Sequence, residues 1–125
     1  MTGTTTVRVR DGALVGAVLG RVVGMLAARA QCPIDRLDDA LLVTDAVSAH
    51  APKHTKRGTV QVAVDAREDG LELRVGELRP GGAQALLADA ALPGVGNVLE
   101  RVADDIEQHP GPDGDELVLR LRFGT

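Results

Sequence analysis

The feature that most constrains this 125-residue chain is its longest apolar segment, Ala13–Ala28. The segment is shorter than the roughly 20 residues with which a helix crosses a bilayer, and Arg21 lies close to its centre. Its apolar residues recur at helical spacing, which predicts an amphipathic helix over about Ala13–Ala30. The N-terminus lacks the architecture of a signal peptide. We therefore expect a soluble, cytoplasmic protein that does not enter a membrane.

A row of glycines, Gly12, Gly16, Gly20 and Gly24, occupies every fourth position of this helix. Each interior glycine costs about 0.5–1 kcal/mol of helix stability relative to alanine, so the row calls for a reason. Residues four apart lie on one helix face and form a smooth ridge. We interpret the ridge as a surface for close packing on the sheet or on a neighbouring helix. The alternative is a docking surface for another chain.

Alternation of apolar and polar residues predicts the strands. The first is predicted over Thr4–Arg10, and the last over Glu116–Phe123 with its leucines on one face. Between them, Gly58–Asp65 and Leu71–Val75 alternate on either side of a short polar turn. Two such segments joined by a turn predict a β-hairpin.

The helical segments complete the order of elements. Asp35 is predicted to cap a second helix that runs to about His50, followed by a polar loop at Ala51–Arg57. A short helical segment is predicted at Ala83–Ala91, and a further helix at about Asn97–Ile106. This order predicts an α+β fold, a two-layer α/β sandwich whose mixed, mostly antiparallel sheet is covered on one face by helices.

Composition narrows the possible functions. The chain has a net charge of −4 and one aromatic residue, Phe123. Because single strands bind to aromatic stacking faces and basic grooves, we expect no nucleic-acid partner. A lone cysteine, Cys32, can form neither an internal disulfide nor, by itself, a zinc site. Length and composition predict a single globular domain over residues 1–125.

The stretch VTDAVSAHA places Asp45, Ser48 and His50 at the end of an otherwise apolar helix. It is compatible with a solvated helix end, a catalytic face or the remnant of one. His50 and His54 are four residues apart, as in paired metal ligands, but Pro52 interrupts a continuous helix and no third ligand is evident. We therefore predict no metal site and interpret both histidines as surface residues.

Two glycine-rich loops, ELRPGG and LPGVG, border helical segments, and backbone N–H groups at a helix start form an anion site. Taken in order, the segments resemble the ATP-binding domain of gyrases, histidine kinases and MutL proteins, in its branch of bacterial anti-sigma-factor serine kinases. LDDALLVTDAVSAHA is similar to the N-box helix, LRVGELRPGG to the Asp-x-Gly-Pro-Gly loop, LPGVGNVLERVADDIE to the Gly-x-Gly-Leu loop and helix, and GPDGDELVLRLRF to the closing motif. The resemblance covers nearly the whole chain and implies the Bergerat fold of histidine-kinase ATPases.

The resemblance assigns the catalytic base to Asp45, which is one methylene shorter than the family's glutamate. The family's magnesium-binding asparagine falls on Ala49, which offers the metal no oxygen. A fixed metal is central to charge neutralisation in phosphoryl transfer. The resemblance with this replacement implies that Mg²⁺ is not held in the normal way, and it leaves kinase activity open.

The other nucleotide positions that the resemblance implies are Glu77, Gly81, Gly94, Gly96 and Gly114. Glu77 takes the place of the family's adenine-binding aspartate. Three neighbouring positions depart from the pattern, with Arg79 for a glycine, Asn97 for a leucine and Asp115 for a threonine. An anion at the last position disfavours a nucleotide phosphate. ATP is thus the implied cofactor, with weak or lost binding.

Two functions compete. The first is a bacterial regulatory protein that resembles an anti-sigma-factor serine/threonine kinase, has a degenerate ATP site, and acts mainly by binding a protein partner that is sigma-factor-like or anti-anti-sigma-like. The alternative is an active ATP-dependent kinase that sequesters a sigma factor and phosphorylates its antagonist. A homodimer is compatible with both. A third interpretation shifts the alignment by one turn and makes Asp38, Asp39 and Asp45 an unrelated site; carboxylates on a helix are more often a solvated face.

Overall fold

A computed structural model describes residues 3–10, 12–92, 94 and 96–124. The strands and helices follow one another in nearly the predicted order. In chain order the elements are β1 Gly3–Val9, α1 Gly12–Arg29, α2 Ile34–His50, a 3₁₀ helix Ala51–His54, β2 Val60–Arg67, β3 Gly70–Leu78, α3 Gly82–Asp89, β4 Ala91–Leu92, β5 Gly96–Asn97, α4 Val98–Val102, β6 Asp105–Gly111 and β7 Gly114–Arg122.

Five strands form one sheet in the order β1-β2-β3-β7-β6, and every neighbouring pair is antiparallel. β4 and β5 form a separate two-stranded ribbon in the second glycine loop. The hairpin predicted between β2 and β3 is present, with Glu68 and Asp69 as its turn. The predicted α+β, two-layer α/β sandwich is confirmed.

The core lies between the sheet and the helices. Alternation along β2 buries Val62 and Val64, while Gln61 and Asp65 on the opposite side stay partly exposed. The largest fully buried side chains come from three helices and from two strands, β3 and β7: Leu19, Leu73, Leu78, Leu86, Leu99, Leu117, Leu119 and Leu121. The helices therefore cover one face of the sheet. Within the described ranges, every helix is too short or too polar for a membrane crossing.

Charged side chains occupy the open face of the sheet and pair with one another. Glu72 accepts hydrogen bonds from Arg74 Nε at 2.6 Å and from Arg120 Nε at 2.8 Å. Arg120 also pairs with Glu107 at 3.1 Å. Val118, which pairs with Arg74 in the ladder, is fully buried beneath this network. The charged side chains of the open face thus form ion pairs with one another across β3, β7 and β6.

Glu72→Gln is expected to lower the free energy of unfolding at neutral pH. Burial alone would raise the pKa of Glu72, but hydrogen bonds from Arg120 and Arg74 outweigh it and hold the pKa below the ordinary glutamate value. A depressed carboxyl pKa stabilises the fold above the unfolded-state pKa, and that contribution is lost as the pH falls through the folded-state pKa. The difference between variant and wild type should therefore shrink in acid, as measured by urea unfolding across pH.

Glu100→Gln is the matched control for that prediction. Glu100 is exposed in α4 and forms no ion pair with a described residue. Its substitution should change the free energy of unfolding by less than about 0.5 kcal/mol at every pH. A Glu72→Gln loss that stays constant from neutral to acid pH would contradict the electrostatic account.

The predicted helix at Asn97–Ile106 is wrong in its second half, because α4 ends at Val102 and the chain continues as β6. The backbone is extended at Ala103, with φ −75° and ψ 138°. The Asp104 N–H then donates to the Arg120 carbonyl at 2.8 Å, and β6 pairs with β7. The predicted turn HPGPDGD shrinks accordingly to the two residues between these strands.

The ends of α2 also differ from the prediction. Its N-cap residue is Pro33, which makes no side-chain hydrogen bond, and Asp35 lies inside the first turn. A carboxylate there still interacts favourably with the helix dipole. After α2, the predicted polar loop begins as the 3₁₀ helix, with Pro52 in its first turn.

Of the three glycines Gly16, Gly20 and Gly24, only Gly16 lies against α2. A Cβ at Gly16 would contact the Ser48 Cβ of α2 at 3.6 Å. A Cβ at Gly20 or Gly24 would meet no atom within 4 Å. A distance of 3.6 Å is ordinary van der Waals contact, so an alanine would also fit at Gly16. Close packing, the preferred interpretation of the ridge, therefore does not require the glycines at these three positions.

Gly20→Ala and Gly24→Ala are each expected to raise the free energy of unfolding by about 0.5–1 kcal/mol, because alanine favours the helix and the space is open. Urea unfolding checks both variants. Gly82→Ala in α3 is the control, since its Cβ would lie 3.0 Å from the Leu78 Cβ and 3.1 Å from the His54 carbonyl oxygen. Stabilisation by Gly82→Ala as large as by Gly20→Ala would show that these distances do not govern the outcome.

Candidate functional site

Asp45 and Ala49, the positions assigned to base and metal ligand, lie exposed on α2. The helix turns its opposite side to the core, with buried residues Ala40, Val43, Thr44 and Val47. The Asp45 carboxylate forms no hydrogen bond or ion pair with a described residue. Ser48, the neighbour that could replace a lost metal ligand, donates its hydroxyl to the Thr44 carbonyl at 2.7 Å. Ser48 is half-buried and its Oγ would lie 3.9 Å from a Cβ at Gly16, so its hydroxyl faces α1 whereas Asp45 is exposed to solvent.

The two loops around Gly81 and Gly114 meet at the start of α3. Gly81 has a φ of +80° and is the N-cap residue of this helix. The Asp115 carboxylate accepts the Gly81 N–H at 3.0 Å and the Ala83 N–H at 3.4 Å. Because the first N–H groups of a helix have no intrahelical partner, Asp115 satisfies donors that an external anion would otherwise use.

Gly114 permits this meeting of the loops. Its φ is +148°, and a Cβ would lie 2.3 Å from the Leu78 carbonyl oxygen at the end of β3. Any larger residue would push the start of β7 away from β3. The glycine that the resemblance assigns to nucleotide contact therefore has a structural role in bringing β7 against β3.

Glu77 lies on the other side of the sheet from the helices. A register shift between Val75 and Leu78 accompanies a left-handed backbone at Glu77, with φ 58°. The Glu77 carboxylate approaches the Arg8 guanidinium to 3.9 Å, on the face where Arg8 also donates to Gln61. Asp45 projects from the helix layer, so the structure does not bring the candidate base and the candidate adenine ligand together.

The second glycine loop folds into the β4–β5 ribbon. Gly94 and Gly96 are exposed and have φ values of +76° and +96°. The other two residues of the predicted Gly-x-Gly loop, Pro93 and Val95, lie outside the described residues. Asn97 ends the loop as the N-cap residue of α4, and its side chain accepts the Glu100 N–H at 3.1 Å.

The Asn97 side chain also donates to the Leu87 carbonyl at 2.6 Å, which ties α4 to α3. Leucine, the family's residue at this position, could form neither bond. The helix start that was predicted to receive a phosphate is thus capped by its own side chain. Both candidate anion sites, at α3 and at α4, contain a protein oxygen.

A histidine–aspartate pair joins the 3₁₀ helix to α3. His54 Nε2 and Asp89 Oδ2 are 2.6 Å apart, and the hydrogen bond from His54 lowers the pKa of Asp89 below its ordinary value. The interpretation of His50 and His54 as surface residues is wrong, because both are half-buried and their Nδ1 atoms are buried without a hydrogen-bond partner in the described part of the chain. Since 35 residues separate His54 from Asp89, no local sequence signal could identify the pair.

The side chains of the candidate site do not form a metal-binding cluster. Across the ranges that the structure describes, no group of three or more His, Cys, Asp or Glu side chains could hold a metal ion. No protein-family model matches the chain, and no curated protein matches its sequence. What the site offers chemically is one exposed carboxylate, Asp45, and two helix starts capped by Asp115 and Asn97.

Proposed function

We propose that this chain is a bacterial regulatory protein with the fold of the anti-sigma-factor serine/threonine kinases, and that it acts by binding a protein partner without using ATP. The partner is of the sigma-factor-like or anti-anti-sigma-like class. We place this function in the cytoplasm, where a lone cysteine such as Cys32 remains reduced.

The observation that carries the proposal is the position of the Asp115 carboxylate. It binds the Gly81 and Ala83 N–H groups, in the loop where the resemblance places the backbone that approaches the nucleotide. A nucleotide phosphate brought to this helix start would meet a negative charge in place of free donors. Threonine, the family's residue there, carries no such charge.

The metal side of the site supports the same conclusion. Mg²⁺ is held in nucleotide sites by protein oxygens together with the phosphates. Ala49 supplies no oxygen, and the half-buried Ser48 hydroxyl faces α1. Asp45 alone could orient a hydroxyl, but phosphoryl transfer also requires a fixed metal to neutralise the developing charge.

Affinity capture from extracts of the source cell tests this function. The tagged full-length chain is used after removal of nucleotides and again with millimolar Mg²⁺-ATP, and captured proteins are identified by mass spectrometry. We expect the same specific partner in both conditions, with yields within about twofold, because less than about 0.4 kcal/mol of binding energy would depend on nucleotide.

Two variants sharpen the capture experiment. Asp45→Asn removes the candidate base, and Asp38→Asn removes another exposed acid of α2 as a matched control. Both should capture the partner as wild type does. Three results would each contradict the proposal. The first is capture that requires ATP, and the second is the lack of any specific partner. The third is phosphorylation of the partner by wild type and Asp38→Asn but not by Asp45→Asn.

A further inference from the structure

The two edges of the five-stranded sheet differ in their protection against pairing with another strand. β6 carries Asp105, Glu107 and His109 together with Pro110, which has no N–H to donate. β1, at the other edge, has the sequence GTTTVRV, with Arg8 as its single charged residue and with no proline. No strand of the described chain covers its outer side. β1 is therefore a seven-residue edge with high β-propensity and little protection.

Helix α1 adds an apolar surface beside this edge. Leu14, Val18 and Met25 are 53%, 38% and 49% exposed. At about 100° per residue, they fall within about 40° of one another and about 160–180° from Gly16, the glycine of the row that lies against α2. α1 contacts β1 and β2 as well as α2. The three side chains thus lie on the flank of α1 that faces away from α2, above the β1 edge; we call the edge and these side chains the β1–α1 surface.

The charge of this surface is opposite to that of the rest of the chain. Residues 1–29 contain four arginines and one acidic residue, whereas residues 30–125 contain ten basic and seventeen acidic residues. Arg21 and Arg29 are exposed on α1 and form no ion pair with a described residue. Arg8, 64% exposed, lies at the open face of β1. The β1–α1 surface therefore attracts acidic groups.

We propose that the β1–α1 surface binds an extended, acidic segment of a partner protein, which joins the sheet as an additional strand beside β1. The inference rests on the proposed function and names its binding surface. Successive side chains of a strand point to opposite faces of a sheet. Apolar residues of the segment would lie beneath Leu14, Val18 and Met25, and the alternating acidic residues would lie on the face of Arg8.

A second copy of this chain fits the surface less well. β1 and α1 contain no acidic residue, so a symmetric contact would give their arginines no acidic partner beyond Glu77, which already lies 3.9 Å from Arg8. Because a two-fold interface places the same patch on both sides, neither copy would supply the other with a carboxylate from this surface. An acidic partner segment supplies one.

Selection from a library of random peptides of about ten residues, the upper range of strand lengths, tests the proposal with the full-length chain as target. We expect enriched peptides in which apolar and acidic residues alternate. The affinity of an enriched peptide should fall at least about tenfold with Arg8→Glu and with Val18→Asp. Leu42→Asp, at an exposed apolar site on α2, should leave it within about twofold and serves as the matched control.

Backbone pairing is tested by two N-methylated forms of the enriched peptide, each methylated at one of the two alternating sets of residues. Only one set can donate hydrogen bonds to β1, so we expect one form to lose binding and the other to keep it. The proposal would be overturned by enriched peptides that show helical spacing or basic residues. It would also be overturned if both methylated forms lost binding equally, or if Leu42→Asp weakened binding as much as Val18→Asp.

Sedimentation of the free chain completes the test. We expect wild type and Val18→Asp to sediment with the same oligomeric state. A dimer that is abolished by Val18→Asp would show that a second copy occupies the surface and would overturn the proposal. Partner capture that is independent of ATP, together with a failed peptide selection, would remove the β1–α1 assignment while leaving the proposed function intact. The two failures are therefore distinguishable.

Discussion

Gly114→Ala is expected to lower the free energy of unfolding by about 2–6 kcal/mol, because backbone strain and overpacking each cost about 1–3 kcal/mol. The residue has a φ of +148°, and a Cβ would lie 2.3 Å from the Leu78 carbonyl oxygen and 3.1 Å from the Lys56 Cε. Domains are usually stable by about 5–15 kcal/mol, so the loss is a large fraction of the total. Urea unfolding followed by circular dichroism measures it.

Gly58→Ala is the control that measures the cost of backbone strain without a steric contact of the new Cβ. Gly58 also has a positive φ, +71°, but a Cβ there would meet no atom within 4 Å. Its replacement should cost only about 1–2 kcal/mol, the penalty of the left-handed conformation. Equal losses in the two variants would show that β7 does not approach β3 as closely as the structure indicates.

Leu73→Ala is expected to cost about 2–5 kcal/mol through lost burial and the cavity that remains. Leu73 lies on β3, the middle strand of the sheet, and is fully buried. Its ladder partners Val64 and Leu119 are fully buried as well, so neighbouring side chains are held on both sides and cannot easily fill the space. The same urea titration gives the value.

Leu14→Ala is the control for that substitution and also bears on the β1–α1 surface. Leu14 is 53% exposed on α1, so its truncation should change the free energy of unfolding by less than about 0.5 kcal/mol. A loss comparable to that of Leu73→Ala would mean that the outer flank of α1 stabilises the fold and is not a free surface.

The strands could be predicted because the sheet has one buried and one open face. Residues that face the core and residues that face the open side alternate along β2 and β7, and most positions have the composition that this environment favours. Val118 of β7 is the exception, since it lies on the open side and is buried beneath the charged side chains. The turn at Glu68 and Asp69 is polar and sits between two alternating segments. The local sequence is therefore sufficient to predict the hairpin.

The end of α4 could not be predicted in the same way. Leu99, Val102 and Ile106 have helical spacing, and this pattern favours a helix through Ile106. The structure instead pairs Ile106 with Leu119 across the β6–β7 ladder. Local propensity is a weak preference, and long-range pairing with a buried strand overrides it.

The individual residues of the candidate site could be predicted from the sequence, but the contacts between them could not. The glycine loops and the acid on α2 stand out in the sequence, but the hydrogen bond from Gly81 to Asp115 joins residues 34 positions apart. The left-handed backbone at Glu77 arises from a register shift between two strands, which composition does not reveal. For these reasons the occupied start of α3 and the separation of Glu77 from Asp45 required the structure.

Calorimetric titration of the full-length chain with ATP, with and without Mg²⁺, tests the central claim most directly. Because Ala49 supplies no metal ligand and Asp115 occupies the start of α3, we expect no saturable heat in either condition. A cooperative urea transition of the same sample establishes that it is folded. Saturable ATP binding in the micromolar range that appears only with Mg²⁺ would contradict the account.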